Sequence, residues 1–158
     1  MADSGYTKPT NAIVVAGSPT AQYLLVKAVA TMYAGRLVMK GAADNEVIVN
    51  TAEGTAVGWL GYEQTQKGFR PTDVDTPYKG YDSSPSVRVH AAVLSGPGMV
   101  IVGSLAVSQT IVKGDMLVAT TAGQLIKWTV GHTPVAIAEE SVTTSSVASS
   151  DIMVRSLI

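Results

Sequence analysis

The side chains able to do chemistry are few and scattered. Histidine occurs twice, at His90 and His132. His90 sits in the alternating run "VRVHAAV", in phase with Arg88, which predicts a side chain facing solvent or a subunit interface rather than a general base. His132 lies in the turn "VGHTP". No His-x-x-x-His or His-x-Glu spacing occurs, so a zinc site has no ligand pattern to build on. The chain has no Cys, which removes thiol nucleophiles, disulfides and Cys-based metal sites. Asp73 and Asp75 in "PTDVDTPY" could offer oxygens to calcium, but the glycine and distal Glu of a calcium loop are missing. A solvated turn is the simpler reading. Glu139 and Glu140 are adjacent, so on a strand they point to opposite faces and cannot form a facing acid/base pair. Serine is plentiful, yet no Gly-x-Ser-x-Gly occurs. "AGSP" and "SGPG" lack the Gly-Lys-Ser/Thr of a phosphate loop. The expectation is a protein with no catalytic residue, no metal and no cofactor.

Composition points the same way. Lys+Arg number 11 and Asp+Glu 12, for a net charge of −1, so no electropositive track favours nucleic acid. Charged residues make up 15% of the chain, against roughly 25% in an average soluble protein. A surface this poor in charge is expected to be partly covered by other subunits. The longest apolar region, "AQYLLVKAVATMYAG", is broken by Lys27 and Thr31 and falls short of the ~18 residues of a membrane helix. The N-terminus "MADSGYTKPTN" lacks a basic-then-apolar leader. The expectation is a soluble protein made in a cytoplasm, bound to neither membrane nor nucleic acid. At 158 residues the chain is about one domain long and can bury roughly two-thirds of its unfolded surface.

The elements that must carry these residues read as strands. Residues 1–11 form a polar arm, extended at Lys8 because Pro9 follows. From residue 12 to 158, one β-rich domain alternates short Val-, Ile- and Thr-rich runs with turn signals at roughly 8–12-residue spacing. The runs are "AIVVAG", "YLLVKAVATMYAG" (for which a helix is an open alternative), "RLVMK", "EVIVN", "AVGWLGYE", "SVRVHAAVL", "MVIVGSLAV", "DMLVATTAGQLIKW", "TPVAIAEESV" and "DIMVRSLI". A turn is expected at Ala122-Gly123, and "TTSSVASS" reads as a flexible link. The predicted class is all-β, a small barrel or β-tulip-like domain with room for one short helix.

Two features stand out. Residues 64–84 form a long polar excursion, a length usually tied to function. It gathers Phe69, Arg70, Tyr78 and Tyr81 among mixed charges, the composition of a protein interface. Ordinary packing over the barrel is an equal alternative. The second is an echo: "GRLVM…EVIVN…TAVGWLGYE" from Gly35 to Glu63 matches "GDMLVA…QLIKW…TPVAIAEE" from Gly114 to Glu140. Val38 aligns with Val118, Ile48 with Ile126 and Val57 with Val135, at offsets of 80, 78 and 78. The reading is two related three-strand units packed as pseudo-equivalent halves.

"AGRLVMK", "AVGWLGYEQTQKG", "VHAAVLSGPGMVIVGSLAVSQTIVKGDMLVATTAGQLIKW" and "PVAIAEESV" resemble the capsid decoration, or cement, proteins of tailed viruses, the family of the lambda-like head-decoration proteins. The resemblance runs from about Ala34 to Val142. Trp59 and Tyr62 depart from it, standing where the family has smaller residues, and so does the long excursion. It implies a homotrimer on the capsid exterior that bridges the major capsid protein. It also implies an arm that becomes ordered on the shell, matched here by Ala2, Asp3, Ser4, Gly5, Tyr6, Thr7, Lys8, Pro9 and Thr10. It carries over no catalytic residue. "TIVKGDMLV" also resembles the Gly-Asp corner of clip-like β-domains, which leaves a small carbohydrate- or receptor-binding module as the alternative. An enzyme ranks last, and loss of an activity in His90→Ala would revive it.

Overall fold

The structure is a computed structural model. It describes residues 5–6, 8, 13–26, 33–51, 54–63 and 89–158, with backbone alone at 25–26, 62–63 and 89–91. The arm residues Ala2, Asp3, Ser4, Thr7, Pro9 and Thr10, the excursion residues Phe69, Arg70, Tyr78 and Tyr81, the Asp73/Asp75 pair and the His90 side chain lie outside the described set.

The described residues form β1 (Val14–Ala16), β2 (Thr20–Val26), β3 (Leu37–Lys40), β4 (Glu46–Val49), β5 (Ala56–Glu63) and β6 (Val89–Ser95). They continue with β7 (Val100–Leu105), β8 (Thr110–Ile111), β9 (Met116–Ala119), β10 (Leu125–Lys127), β11 (Ala136–Ala138), β12 (Val142–Thr143) and β13 (Ser150–Ser156). The one helical element among them is a 3-10 turn at Thr121–Gly123. The chain is therefore all-β, as its Val/Ile/Thr-rich runs predict.

Strands β2-β4-β3-β5-β6 close a first barrel. A second sheet runs β1-β7-β10-β9-β11-β13, and pairing of β13 back onto β7 closes a second five-strand ring with β1 outside it. The two rings have the same connectivity. In each, the first strand pairs parallel with the third (β2 with β4, β7 with β10). Every other pair around either ring is antiparallel. The three-strand echo is thus the visible part of a five-strand duplication.

The ladders fix its register. Leu37 faces Trp59 as Met116 faces Ile137, and Met39 faces Ile48 as Val118 faces Ile126. The second and third strands keep the expected offset of 78. The first is offset by 79, not 80: Val118 corresponds to Met39, and Val38 to Leu117. Both β3 and β9 begin at a four-residue turn with glycine third. Arg36 N–H donates to Tyr33 O (3.3 Å) as Asp115 N–H does to Val112 O (2.9 Å). Gly35 and Gly114 hold φ of 85° and 94°, the left-handed region that glycine enters without a Cβ clash. Gly35 N–H then reaches Leu60 O at 2.7 Å, and Gly114 N–H reaches Ala138 O at 2.8 Å.

Alternation fills each ring. Val38, Val47, Leu60 and Val93 are buried in the first, and their counterparts Leu117, Leu125, Ala138 and Val154 in the second. The rings are joined where barrel one turns its outer Leu37 and Trp59 onto barrel two; both are fully buried, in one cluster with Ile101, Leu105, Leu125 and Ile152. Room for the indole comes from Gly103: a Cβ there would lie 3.2 Å from the Trp59 ring. The indole N–H is satisfied by Ser156 Oγ at 3.0 Å, as a buried donor requires. A large Trp on the outside of one barrel is thus a central contact of the joint, beside Leu37.

The "TTSSVASS" segment is tied down where it begins, not loose throughout. Thr144 is buried, its hydroxyl donates to Ala106 O (2.8 Å) and it accepts from Gln109 N–H (2.8 Å).

Candidate interaction surface

The bend after β11 and the strand β13 gather charged groups. Glu139 and Glu140, both in that bend rather than on a strand, take different partners. Glu139 is buried and takes Arg155 Nη2 at 2.5 Å, with Lys113 Nζ at 4.0 Å. Glu140 accepts the Met153 backbone N–H at 2.8 Å and Lys8 Nζ at 2.6 Å. Lys8 also donates to Asp151 O at 3.2 Å. One described residue of the arm is therefore fastened to the second barrel of its own chain, and the sequence held no sign that Glu140 would receive it. Gly5 and Tyr6 are exposed.

Beside this network, Asp115 closes the Gly-Asp corner. Its Oδ2 accepts the Val112 N–H at 2.9 Å and Lys127 Nζ at 2.7 Å. The hydrogen bond from Lys127, then the one from Val112, holds its carboxyl below the ordinary carboxylate range. At the counterpart corner the residue is Arg36. Its Nη1 donates to Ala122 O at 3.0 Å, and its guanidinium stacks 5.1 Å from the Tyr33 ring centre. Burial pushes its pKa down. The same corner thus serves two ends: Arg36 clamps barrel to barrel, and Asp115 holds a turn at the surface.

A cleft of about 450 Å3 opens between the barrels, lined by Gly54, Thr55, Val118, His132 and Thr133 among others. Among the described residues His132 is the single titratable side chain on its wall, and Trp128 Nε1 fixes that turn by donating to His132 O at 2.7 Å. Among the described residues, no three His, Asp or Glu side chains gather in a way that could hold a metal ion.

No protein-family model matches the chain, and no curated protein matches it. Among solved structures the fold is similar to the head fiber gp8.5 N base of bacteriophage phi29, at 15% identity and a TM-score of 0.50. The match covers 87% of this chain and 94% of that one, so it takes in both barrels.

Proposed function

We propose that the chain is a structural protein of a tailed-virus head, a decoration or cement protein that sits on the capsid exterior as a homotrimer and bridges major capsid proteins. The observation that carries this reading is the two-barrel fold shared, over most of both chains, with the base of a phage head fibre. The motif resemblance to decoration proteins supports it independently. The physics suits the role. A shell protein needs many weak contacts acting together, since linked sites gain affinity without any single strong one. An arm strand added to a sheet edge would supply main-chain bonding tolerant of sequence. In this account the Lys8–Glu140 pair is the arm's resting place on the free protein. No turnover, cofactor, membrane or nucleic-acid partner belongs to the proposal.

Co-sedimentation with expanded shells of the virus that encodes the chain tests it: saturable pelleting is expected, and none at any concentration sinks it. A second reading, a carbohydrate- or receptor-binding module, draws on the cleft beside His132. Specific signal on a glycan array would favour it.

A further inference from the structure

The duplication gives the ladder residues of one barrel counterparts on the other. Following the ladders, Gly35, Leu37 and Trp59 correspond to Gly114, Met116 and Ile137. On the receiving side, Val102 and Gly103 of β7 and Ser156 of β13 correspond to Tyr23 and Leu24 of β2 and to Ser95 of β6. Inside the chain the first set sits on the second: Trp59 meets Gly103 and Ser156, and a Cβ at Gly35 would come within 2.6 Å of Val102 O.

Among these counterparts Gly114, Met116 and Tyr23 are exposed, while Leu24, Ser95 and Ile137 are half-buried. A Cβ at Gly114 would meet nothing within 4 Å. Met116 is 42% exposed, although its counterpart Leu37 is fully buried. Tyr23 is 64% exposed where Val102 is 6% exposed. Among the described residues, β2 pairs with β6 along its whole length but with β4 at Leu25 and Val26 alone. Among the described residues the edge from Thr20 to Leu24 carries no strand, whereas the equivalent edge of β7 carries β1.

We infer that the joint between the two barrels is repeated between molecules: the β9–β11 face of barrel two, at Met116 and Ile137, seats on β2 of barrel one in a second copy of this chain. The molecule's own joint says what kind of surface covers each open face. Bulk is exchanged across the contact in a compensating way. Inside the chain a large Trp59 meets a Gly103 without a side chain; between chains a smaller Ile137 meets Leu24. Arg155, which stands where barrel one has the buried Leu94, and the Asp115–Lys127 pair form the polar rim expected around such a patch. The contact is heterologous, one face onto a different face, so successive copies close into a ring where the rotation permits. It names the self-contact of the proposed trimer but does not depend on the capsid reading.

The absence of Cys makes the test clean. The full chain carrying Tyr23→Cys and Met116→Cys together is oxidised at micromolar concentration and run on a non-reducing gel, beside each single variant. The expected result is covalent species at multiples of the 16.4 kDa chain mass in the double variant alone. Dimers from Tyr23→Cys or Met116→Cys by itself would show that a face meets its own copy, and would overturn the inference. A monomer band throughout would overturn it too. In sedimentation velocity, Tyr23→Glu and Met116→Glu should each weaken self-association at least tenfold, while Val147→Glu, on a distant loop, leaves it unchanged. A monomeric wild type that still pelleted with shells would sink this contact and leave the capsid reading standing.

Discussion

Residues in matched positions give internal controls that few chains offer. Gly35 and Gly114 share a positive φ, but Gly35 lies against Val102 O and Gly114 faces open space. Gly114→Ala should cost about 1–2 kcal/mol, the strain of a Cβ in the left-handed region. Gly35→Ala should cost roughly 2–4 kcal/mol, because a steric conflict is added. Urea unfolding of both variants checks the order, and equal costs would contradict the packing described at Gly35. Asp115 gives a pH prediction. Its folded pKa is depressed, so its contribution is present above the unfolded value of about 3.9 and is lost as pH falls through the lower folded value. Asp115→Asn should lower the urea midpoint slightly at pH 7, since the pair is largely solvent-exposed and screened. The gap between variant and wild type should close near pH 2; a gap that persists there would assign the effect to something other than the carboxylate.

Elements show what a sequence can and cannot announce. β3, β4 and β5 match the runs "LVMK", "EVIV" and "AVGWLGYE" because Gly and polar turns bracket each apolar run. The turn at Ala122-Gly123 is present, with φ of 64° and 69°. The echo was legible through its glycine corners and β-branched runs, and its first-strand offset was one residue out because Val38 and Val118 share a side chain but not a place in the ladder. The outer strands of the duplication were not legible. β2 with β6 and β7 with β13 keep their pairing geometry while sharing few side chains: Val93 answers to Val154 and Ser95 to Ser156, but Tyr23 answers to Val102 and Leu94 to Arg155. Ladder position depends on backbone hydrogen bonds, which leave no mark on side-chain identity. The partner of Lys8 was equally hidden, since an ion pair 132 residues apart has no local pattern. Lys8→Met should change stability by under about 1 kcal/mol, as part-exposed pairs do. It should raise the rate of proteolytic clipping in the arm, and an unchanged rate would show that Lys8 does not fasten it.

At the scale of the whole molecule, an outward Trp is the largest side chain in the joint between two barrels, beside Leu37 and the Arg36 clamp. Trp59→Ala removes the ring packed on Gly103 and leaves Ser156 Oγ without that donor; a loss of about 3–5 kcal/mol is expected. Trp59→Phe should lose less, since most of the packing remains. If unfolding of Trp59→Ala splits into two transitions, the barrels are separately stable and the indole couples them. A wild-type midpoint in Trp59→Ala would contradict that role. The proposed capsid role is tested most directly by quantitative pelleting of the purified chain with expanded, undecorated shells of the virus that would encode it. The account predicts saturation at a fixed number of copies per shell; a chain that stays in the supernatant at every concentration would contradict it.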